Sequence, residues 1–197
     1  MSNQIKYIKH QEIDAEKWAQ CIENAENSRF YANIWHLDRT AIVWDALVLA
    51  DYEFVMPLPI RQRFGFSYIY QPLFCQQLGI FPDPSSSIAE EFYKALFEKF
   101  RYVDIHLNSQ NPSIQQKKEL EFLPRHNFLL DLQYNYKSLE RSYSTNTKRN
   151  IAKAAKNNLQ YISGIRLEEY LAFKETNLMT SVSTKYIEKL KSIIAFG

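Results

Sequence analysis

The chain has 197 residues, of which 46% are hydrophobic and 15% aromatic, and this composition excludes an intrinsically disordered protein. Its 24 basic and 22 acidic side chains give a net charge of +2, which excludes a protein that binds nucleic acid through its total charge. The charge is uneven, because residues 1–60 carry nine acidic and five basic side chains, whereas 137–160 carries six basic and one acidic. The length fits one domain or slightly more, and we expect any anionic partner to meet the second half.

The cysteines and the amino-terminal residues indicate the cellular compartment in which the protein is expected. Cys21 and Cys75 have no zinc-ligand spacing, and two cysteines do not make a disulfide framework. The first residues lack the apolar stretch of a signal peptide, and no apolar run approaches the about 18 residues of a membrane helix. We therefore expect a reduced, cytoplasmic protein without a membrane span.

Hydrophobic periodicity predicts a first part rich in strands. In chain order the predicted elements are a strand at 5–10, a helix at 15–27 capped by Asp14, an ambiguous piece at 34–40, strands at 44–51, 52–60 and 66–72, a helix at 87–100 and a strand at 101–108. The short connections within 44–72 indicate neighbouring strands of a mostly antiparallel sheet.

Pro57 and Pro59 constrain the strand predicted at 52–60. Both lack a backbone N–H, and alternate residues of a strand present their backbone groups to the same side. That side cannot carry a regular ladder of hydrogen bonds. We therefore expect an edge, a splay or a bulge at these prolines.

The second part of the chain is predicted to be mainly helical. Its predicted elements are a strand at 126–133, a helix at 135–143, a helix within 144–161 capped by Thr145 or Thr147, a strand at 159–164, and helices at 166–179 and 182–196. The whole order predicts an α/β (α+β) fold, in which a mixed domain is followed by the opening of a second unit. The last two helices have no strand to cover their apolar faces, so we expect self-association through them.

Familiar catalytic motifs are missing from the sequence. It has no P-loop, HExxH or GxSxG pattern, and its four histidines show no metal spacing. We therefore predict no metal and assign no catalytic residue. Asp104 and His106 would share one strand face, which allows either an acid–base pair or an ordinary hydrogen-bonded histidine.

The stretch "YIYQPLFCQQLGIF" (68–81) is rich in amides and aromatic rings but poor in charge. Neutral donors and acceptors among aromatic side chains suit peptide or sugar ligands. This pattern makes Tyr70, Gln71, Gln76 and Gln77 candidate substrate-binding residues. The alternative is a buried strand and loop whose polar groups satisfy one another.

The helix predicted within 144–161 has a basic face formed by Lys148, Arg149, Lys153 and Lys156, opposite a stripe of Ile and Ala. Three interpretations compete for these four candidate substrate-binding residues. The face is simply solvated, or it holds phosphates of tRNA or of a nucleotide-linked substrate, or it reads duplex DNA. The DNA interpretation is the weakest, because no helix-turn-helix pattern accompanies the helix. We expect the apolar stripe to pack against the first half.

The segment "HNFLLDLQYNYKSLERSYSTNTKRNIAKAAKNNLQY" (126–161) resembles the junction in Fem-type (peptidoglycan-bridge) acyltransferases of the GNAT superfamily. The positions comparable to those of the family are Ser144, Arg149, Ile151, Lys153 and Ala154. Residues 55–81 also resemble the sheet of the first half in a bacterial subgroup. The resemblance implies two GNAT-like domains in tandem, here a first domain at 1–143 and, at 144–197, the junction helix and the start of an incomplete second domain. The chain is then a fragment or a shortened family member.

Fem-type enzymes move an aminoacyl group from charged tRNA to a peptidoglycan precursor. The resemblance therefore implies an N-acyltransferase-like protein that transfers an acyl or aminoacyl group to an amine. The alternative is a non-catalytic GNAT-shaped module that binds RNA or a protein. The acetyl-CoA loop R/Q-x-x-G-x-G/A is not found, so we expect no tightly bound cofactor and leave the donor as aminoacyl-tRNA or acyl-CoA. The expected partners are a small-molecule or peptide-like acceptor and tRNA.

Overall fold

The computed structural model describes residues 4–113, 122–177 and 184–196. They form the predicted mixed α+β fold, a five-stranded, mostly antiparallel sheet with flanking helices, which is compatible with a GNAT-like fold. The strands are β1 (Ile5–Ile8), β2 (Val43–Leu49), β3 (Phe54–Arg63), β4 (Phe66–Tyr70) and β5 (Val103–Asp104). The helices are α1 (Ala15–Asn24), α2 (Ile34–Thr40), α3 (Ser86–Lys99), α4 (Tyr136–Ser142), α5 (Thr145–Lys156), α6 (Leu167–Asn177) and α7 (Thr184–Phe196).

The strands follow one another across the sheet in chain order. Each neighbouring pair is antiparallel except β4 and β5, which are parallel and are joined through α3. A parallel pair needs such a crossover, because the chain must return to the end from which it started.

Alternating side chains divide the core between the two faces of the sheet. On one face Trp44 and Val55 pack with Trp18 of α1 and Leu37 of α2. On the other face residues such as Leu47 and Leu58 pack with Phe92 and Leu96 of α3. These buried clusters hold the sheet rigidly, which fixes the positions of the loops at its ends.

Short polar side chains cap the helices. The carboxylate of Asp14 accepts hydrogen bonds from two backbone N–H groups of α1, as predicted. The prediction that Thr145 or Thr147 caps α5 is wrong, because the Ser144 hydroxyl accepts from the backbone N–H of Thr147 at 3.1 Å. Ser144 therefore satisfies a backbone N–H group of the first helical turn, the role predicted for Thr145 or Thr147.

Two predicted strands are not strands in the structure. Residues 126–133 and 159–164 are extended or irregular and have no strand partner among the described residues. An apolar sequence becomes a strand only when a neighbouring backbone pairs with it, so Phe128 stays 91% exposed. The strand predicted at 101–108 shortens to β5 and an isolated bridge at Leu107. The ambiguous piece at 34–40 is helix α2, and the helix ends predicted at 178–179 and 182–183 lie outside the described residues.

Helix α7 returns to the first part of the chain and packs on α2. The ring of Phe196 stacks on that of Trp35 with centroids 5.0 Å apart, and the guanidinium of Arg39 lies 3.9 Å from the Phe196 ring centroid. The Lys189 ammonium also donates to the carbonyl of Thr40. Much of the apolar surface of α6 and α7 nevertheless remains exposed, including Phe173 and Ile194. Self-association through these helices stays a prediction.

Candidate functional site

Strand β4 is interrupted and resumes in the same place in the sheet. Ile60 of β3 pairs with Ile69, but Val55, five residues before Ile60, pairs with Phe81, twelve residues after Ile69. The partner strand therefore carries seven extra residues, and residues 71–77, here called the insertion loop, leave the sheet. The break lies opposite Pro57 and Pro59, on the side to which the Val55 N–H points. The predicted break in the ladder at the prolines is confirmed.

The side chain of Gln71 closes the gap on the β5 side of the break. Its Oε1 accepts a hydrogen bond of 3.0 Å from the backbone N–H of His106, and its Nε2 donates to the carbonyl of Cys75 at 2.8 Å. Gln71 is buried. Its side chain therefore takes the place of the backbone carbonyl that a continuous strand would offer to His106. This is a structural role.

Asparagine side chains secure the point where the chain re-enters the sheet. The carbonyl of Ile80 accepts from Nδ2 of Asn27 and from Nδ2 of Asn111, both at 3.0 Å, and Asn108 donates to the carbonyl of Leu78 at 3.3 Å. Asn111 Oδ1 also accepts from the backbone N–H of Ile80 at 2.6 Å. These bonds hold the returning strand without a longer ladder.

The insertion loop covers α2 on the face of the sheet that carries α1. His36 Nε2 is 3.1 Å from the carbonyl of Phe74, and the Thr40 hydroxyl is 3.3 Å from the Cys75 thiol. Burial lowers the pKa of His36, so the imidazole is neutral at neutral pH. Burial raises the pKa of Cys75 to about 11, so this thiol is protonated and unreactive.

A second polar cluster lies where β1 meets β2. The buried carboxylate of Asp45 accepts from the Tyr7 hydroxyl, from the Lys9 ammonium at 2.9 Å and from the backbone N–H of His10 at 3.0 Å. Burial alone would raise the pKa of Asp45, but these three hydrogen bonds and the charge of Lys9 outweigh burial and lower it. The cluster ties the first strand to the sheet.

An exposed group of aromatic and arginine side chains lies on the β3–β4 hairpin, and we call it the Arg–aromatic platform. Its members are Arg61, Arg63, Phe66, Tyr68, Tyr70 and Tyr102. Arg61 pairs with Tyr68 and Arg63 with Phe66, and directly opposite residues share one face of a sheet. The Arg61 guanidinium lies 4.4 Å from the ring centroid of Tyr70.

The two sets of predicted substrate-binding residues differ in burial and in hydrogen bonding. In the first set, Tyr70 and Gln76 are exposed, whereas Gln71 and Gln77 are buried and bond internally. Gln77 Oε1 accepts from Nε of Arg29 at 3.2 Å. The alternative of a loop whose polar groups satisfy one another therefore describes these two glutamines.

The second set lies on α5, where Lys148, Arg149, Lys153 and Lys156 are all exposed. The described hydrogen bonds of the first two are local: Lys148 Nζ donates to the Arg141 carbonyl at 3.1 Å, and Arg149 donates to Asn146 at 2.7 Å. The prediction that the Ile/Ala stripe packs against the first half is wrong, since Ile151 is 50% exposed.

Sequence reasoning missed the Arg–aromatic platform, although the signal was present. Alternation about Gly65 places Arg61, Arg63, Tyr68 and Tyr70 on one face once the hairpin register is known.

The Asp104–His106 pair shows no side-chain hydrogen bond between its members. Within the described ranges, no group of His, Cys, Asp or Glu side chains has a metal-binding arrangement.

In comparisons with known proteins, no family model, no curated protein and no solved structure matches the chain. Among the helices that the structure describes, none is long and apolar enough to cross a membrane. The proposals below therefore rest on the residues and their geometry.

Proposed function

We propose that the chain is an N-acyltransferase-like protein of the Fem type, which transfers an acyl or aminoacyl group to an amine acceptor. The interrupted strand opposite Pro57 and Pro59 carries this proposal. Residues 71–77 leave the sheet at this break, and the chain there exposes Gln76 and the adjoining Tyr70, where an acceptor can reach them. Bulges of this kind also occur preferentially next to active sites.

Two further observations support the proposal. Residues 126–161 resemble the junction of Fem-type proteins, and the mixed, mostly antiparallel sheet is the architecture which that resemblance implies. The exposed Gln76 on the insertion loop and the neighbouring Tyr70 offer neutral hydrogen-bonding groups to a peptide-like acceptor.

The reaction requires little from individual side chains. A neutral amine attacks the carbonyl of an activated ester, so the protein must hold both reactants together and stabilise the oxyanion. His36 is neutral but buried against Phe74, so we do not assign it as a base. Both candidate donors, aminoacyl-tRNA and acyl-CoA, carry phosphates and are made in the cytoplasm, where we place the reaction.

A transfer assay tests the proposal. The purified chain is incubated with aminoacyl-tRNA or with acyl-CoA and a lysine-containing peptide, and acylated peptide is measured by mass spectrometry. We expect donor-dependent acylation, with KM for the peptide raised by Gln76→Ala. Gln62→Ala, which changes another exposed glutamine, on the face of the hairpin opposite Arg61, is the control and should leave KM unchanged. Absence of transfer from both donors overturns the proposal.

One observation favours the alternative of a non-catalytic module that binds RNA or a protein. The four cations of α5 are exposed, and the hydrogen bonds described for Lys148 and Arg149 are local, so this basic face is open to an anionic partner such as RNA. If the chain binds RNA in a direct binding measurement but transfers no acyl group in the assay above, this alternative is supported.

A further inference from the structure

The Arg–aromatic platform carries more positive than negative charge. The carboxylate of Asp104 lies on the same sheet face, because Asp104 pairs with Tyr70, but Arg61, Arg63 and the nearby Lys189 outnumber it. Residues 54–82 contain no Asp or Glu, and Arg61 and Arg63 are their only charged side chains. Among the described residues, neither guanidinium forms a salt bridge with a carboxylate. Lys189 lies close enough that the charge of Arg61, together with burial as the larger effect, lowers the Lys189 pKa. This face therefore attracts anions.

Aromatic rings form the rest of the platform. Phe66 is 76% exposed and Tyr102 is 58% exposed, while Tyr68 is half-buried between Tyr70 and Tyr102. The Tyr68 ring lies edge-on to both tyrosine neighbours, with centroids 6.3 Å from Tyr70 and 5.9 Å from Tyr102. Tyr68 thus holds the two outer rings apart, and each outer ring keeps a surface for stacking.

The arrangement of these rings favours one class of ligand. The ring of Tyr68 lies edge-on between Tyr70 and Tyr102, so the two outer rings do not stack on each other and each can receive a separate base. Duplex bases cannot reach such rings, whereas an extended single strand can place an unstacked base on each. Arg61 lies over Tyr70, in reach of a phosphate beside a stacked base, and guanidinium groups bind phosphate well.

We propose that the Arg–aromatic platform binds a single-stranded nucleic acid, with unpaired bases stacked on Tyr70, Tyr102 and Phe66 and with phosphates held by Arg61 and Arg63. This combination of a basic surface and stacking rings is the general means by which proteins hold single strands without reading a sequence. The proposal requires no acyl transfer, although it shares Tyr70 with the acceptor site proposed above. The binding measurements below contain neither donor nor acceptor, so they test it separately.

Fluorescence anisotropy tests the proposal with three labelled probes of equal length: an oligo-uridine RNA, an oligo-thymidine DNA and a duplex. Both single strands should bind more tightly than the duplex, and a preference for RNA or DNA identifies the natural source. Tyr70→Ala and Tyr102→Ala should each weaken single-strand binding roughly 5- to 150-fold, the effect of losing one stacked base. Tyr70→Phe keeps the ring and should bind like the wild type.

Charge is tested separately. The double change Arg61→Gln and Arg63→Gln should reduce the log–log salt slope by about 1.4, from roughly 0.7 per phosphate on a single strand. Lys153→Gln with Lys156→Gln removes the same charge from α5 and should leave affinity and slope unchanged. Equal binding of the duplex, or loss of binding only in the α5 variant, overturns the proposal. Circular dichroism of each variant verifies the fold, and Tyr102 is exposed enough for its alanine variant to fold.

Discussion

The side chain of Gln71 bonds the backbone N–H of His106 at 3.0 Å, across the point where β4 has left the sheet. A backbone carbonyl would normally occupy this place, but the chain has turned into the insertion loop. The same side chain donates to the Cys75 carbonyl and so also fixes the loop that it makes possible. One glutamine therefore joins the sheet to the proposed substrate-binding loop.

Gln71→Ala should destabilise the protein by about 3 kcal/mol, because each of the two hydrogen-bonding groups it leaves buried costs ~1–3 kcal/mol. Gln76→Ala, five residues along the same loop and exposed, should change the free energy of unfolding by less than about 0.5 kcal/mol. Urea unfolding measures both values. Equal stabilities of the two variants would show that Gln71 does not hold the sheet.

Gly79→Ala should be far more harmful than Gly65→Ala. Both glycines have positive φ, +114° and +79°, so alanine is strained at each, by about 1–2 kcal/mol in the left-handed region. A Cβ at position 79 would also lie 2.1 Å from Oδ1 of Asn111, whereas one at position 65 meets nothing within 4 Å. Thermal unfolding of the two variants measures the difference. Combining Gly79→Ala with Asn111→Ala should give less than the sum of the single effects.

Acid should remove the stabilisation that Asp45 provides. Its folded pKa lies below the unfolded value of 3.8, so its contribution is fully present above that value and is lost as the pH falls through the folded pKa. Asp45→Asn should lower stability at neutral pH by about 2 kcal/mol, the scale of a hydrogen bond to a charged group. The gap to the wild type should narrow below about pH 4.

Urea unfolding across this pH range measures the Asp45 effect. Asp51→Asn is the control, because Asp51 is exposed and pairs with an exposed Lys17 at 2.6 Å. Its free energy of unfolding at neutral pH should differ from that of the wild type by less than about 1 kcal/mol, the usual limit for an exposed ion pair. A gap between Asp45→Asn and the wild type that stays constant from neutral to acidic pH would contradict the assignment.

Phe196→Ala should loosen helix α7. The Phe196 ring stacks on Trp35 and receives the Arg39 guanidinium, and an aromatic pair contributes ~0.5–1.5 kcal/mol beyond its buried area. Hydrogen exchange should quicken in the amides of α7 while those of β2 stay protected. Phe173→Ala, on α6 and similarly exposed, should leave the exchange of α7 unchanged.

The sheet was predictable where its contacts are local. Strands β2, β3 and β4 follow from alternating side chains and the turn at Gly65, and the paired prolines located the break. The segment 126–133 has the same apolar character but stays unpaired, because a strand needs a partner that its own sequence does not specify. The alternation of apolar and polar residues therefore predicts which segments can form strands, but it does not predict which strand each of them pairs with.

The candidate site was predictable only in part. The glutamines of the insertion loop stood out by composition, but the sequence could not distinguish the exposed Gln76 from the buried Gln71 and Gln77. That distinction depends on His106 and Arg29, which lie 35 and 48 residues away from their glutamine partners. The packing expected of α5 failed for the same reason, since amphipathic periodicity indicates a face without naming its neighbour.

The Ile80 carbonyl has a consequence for the order in which the protein folds. Its partner Asn27 lies 53 residues away and its partner Asn111 lies 31 away, so both contacts must close long loops. The β2–β3 and β3–β4 hairpins close much shorter ones, and we expect them in the folding nucleus before the re-entering strand is secured. Asn27→Ala should then accelerate unfolding and leave the refolding rate nearly unchanged in stopped-flow measurements. Such late contacts set how long the native state survives before it opens.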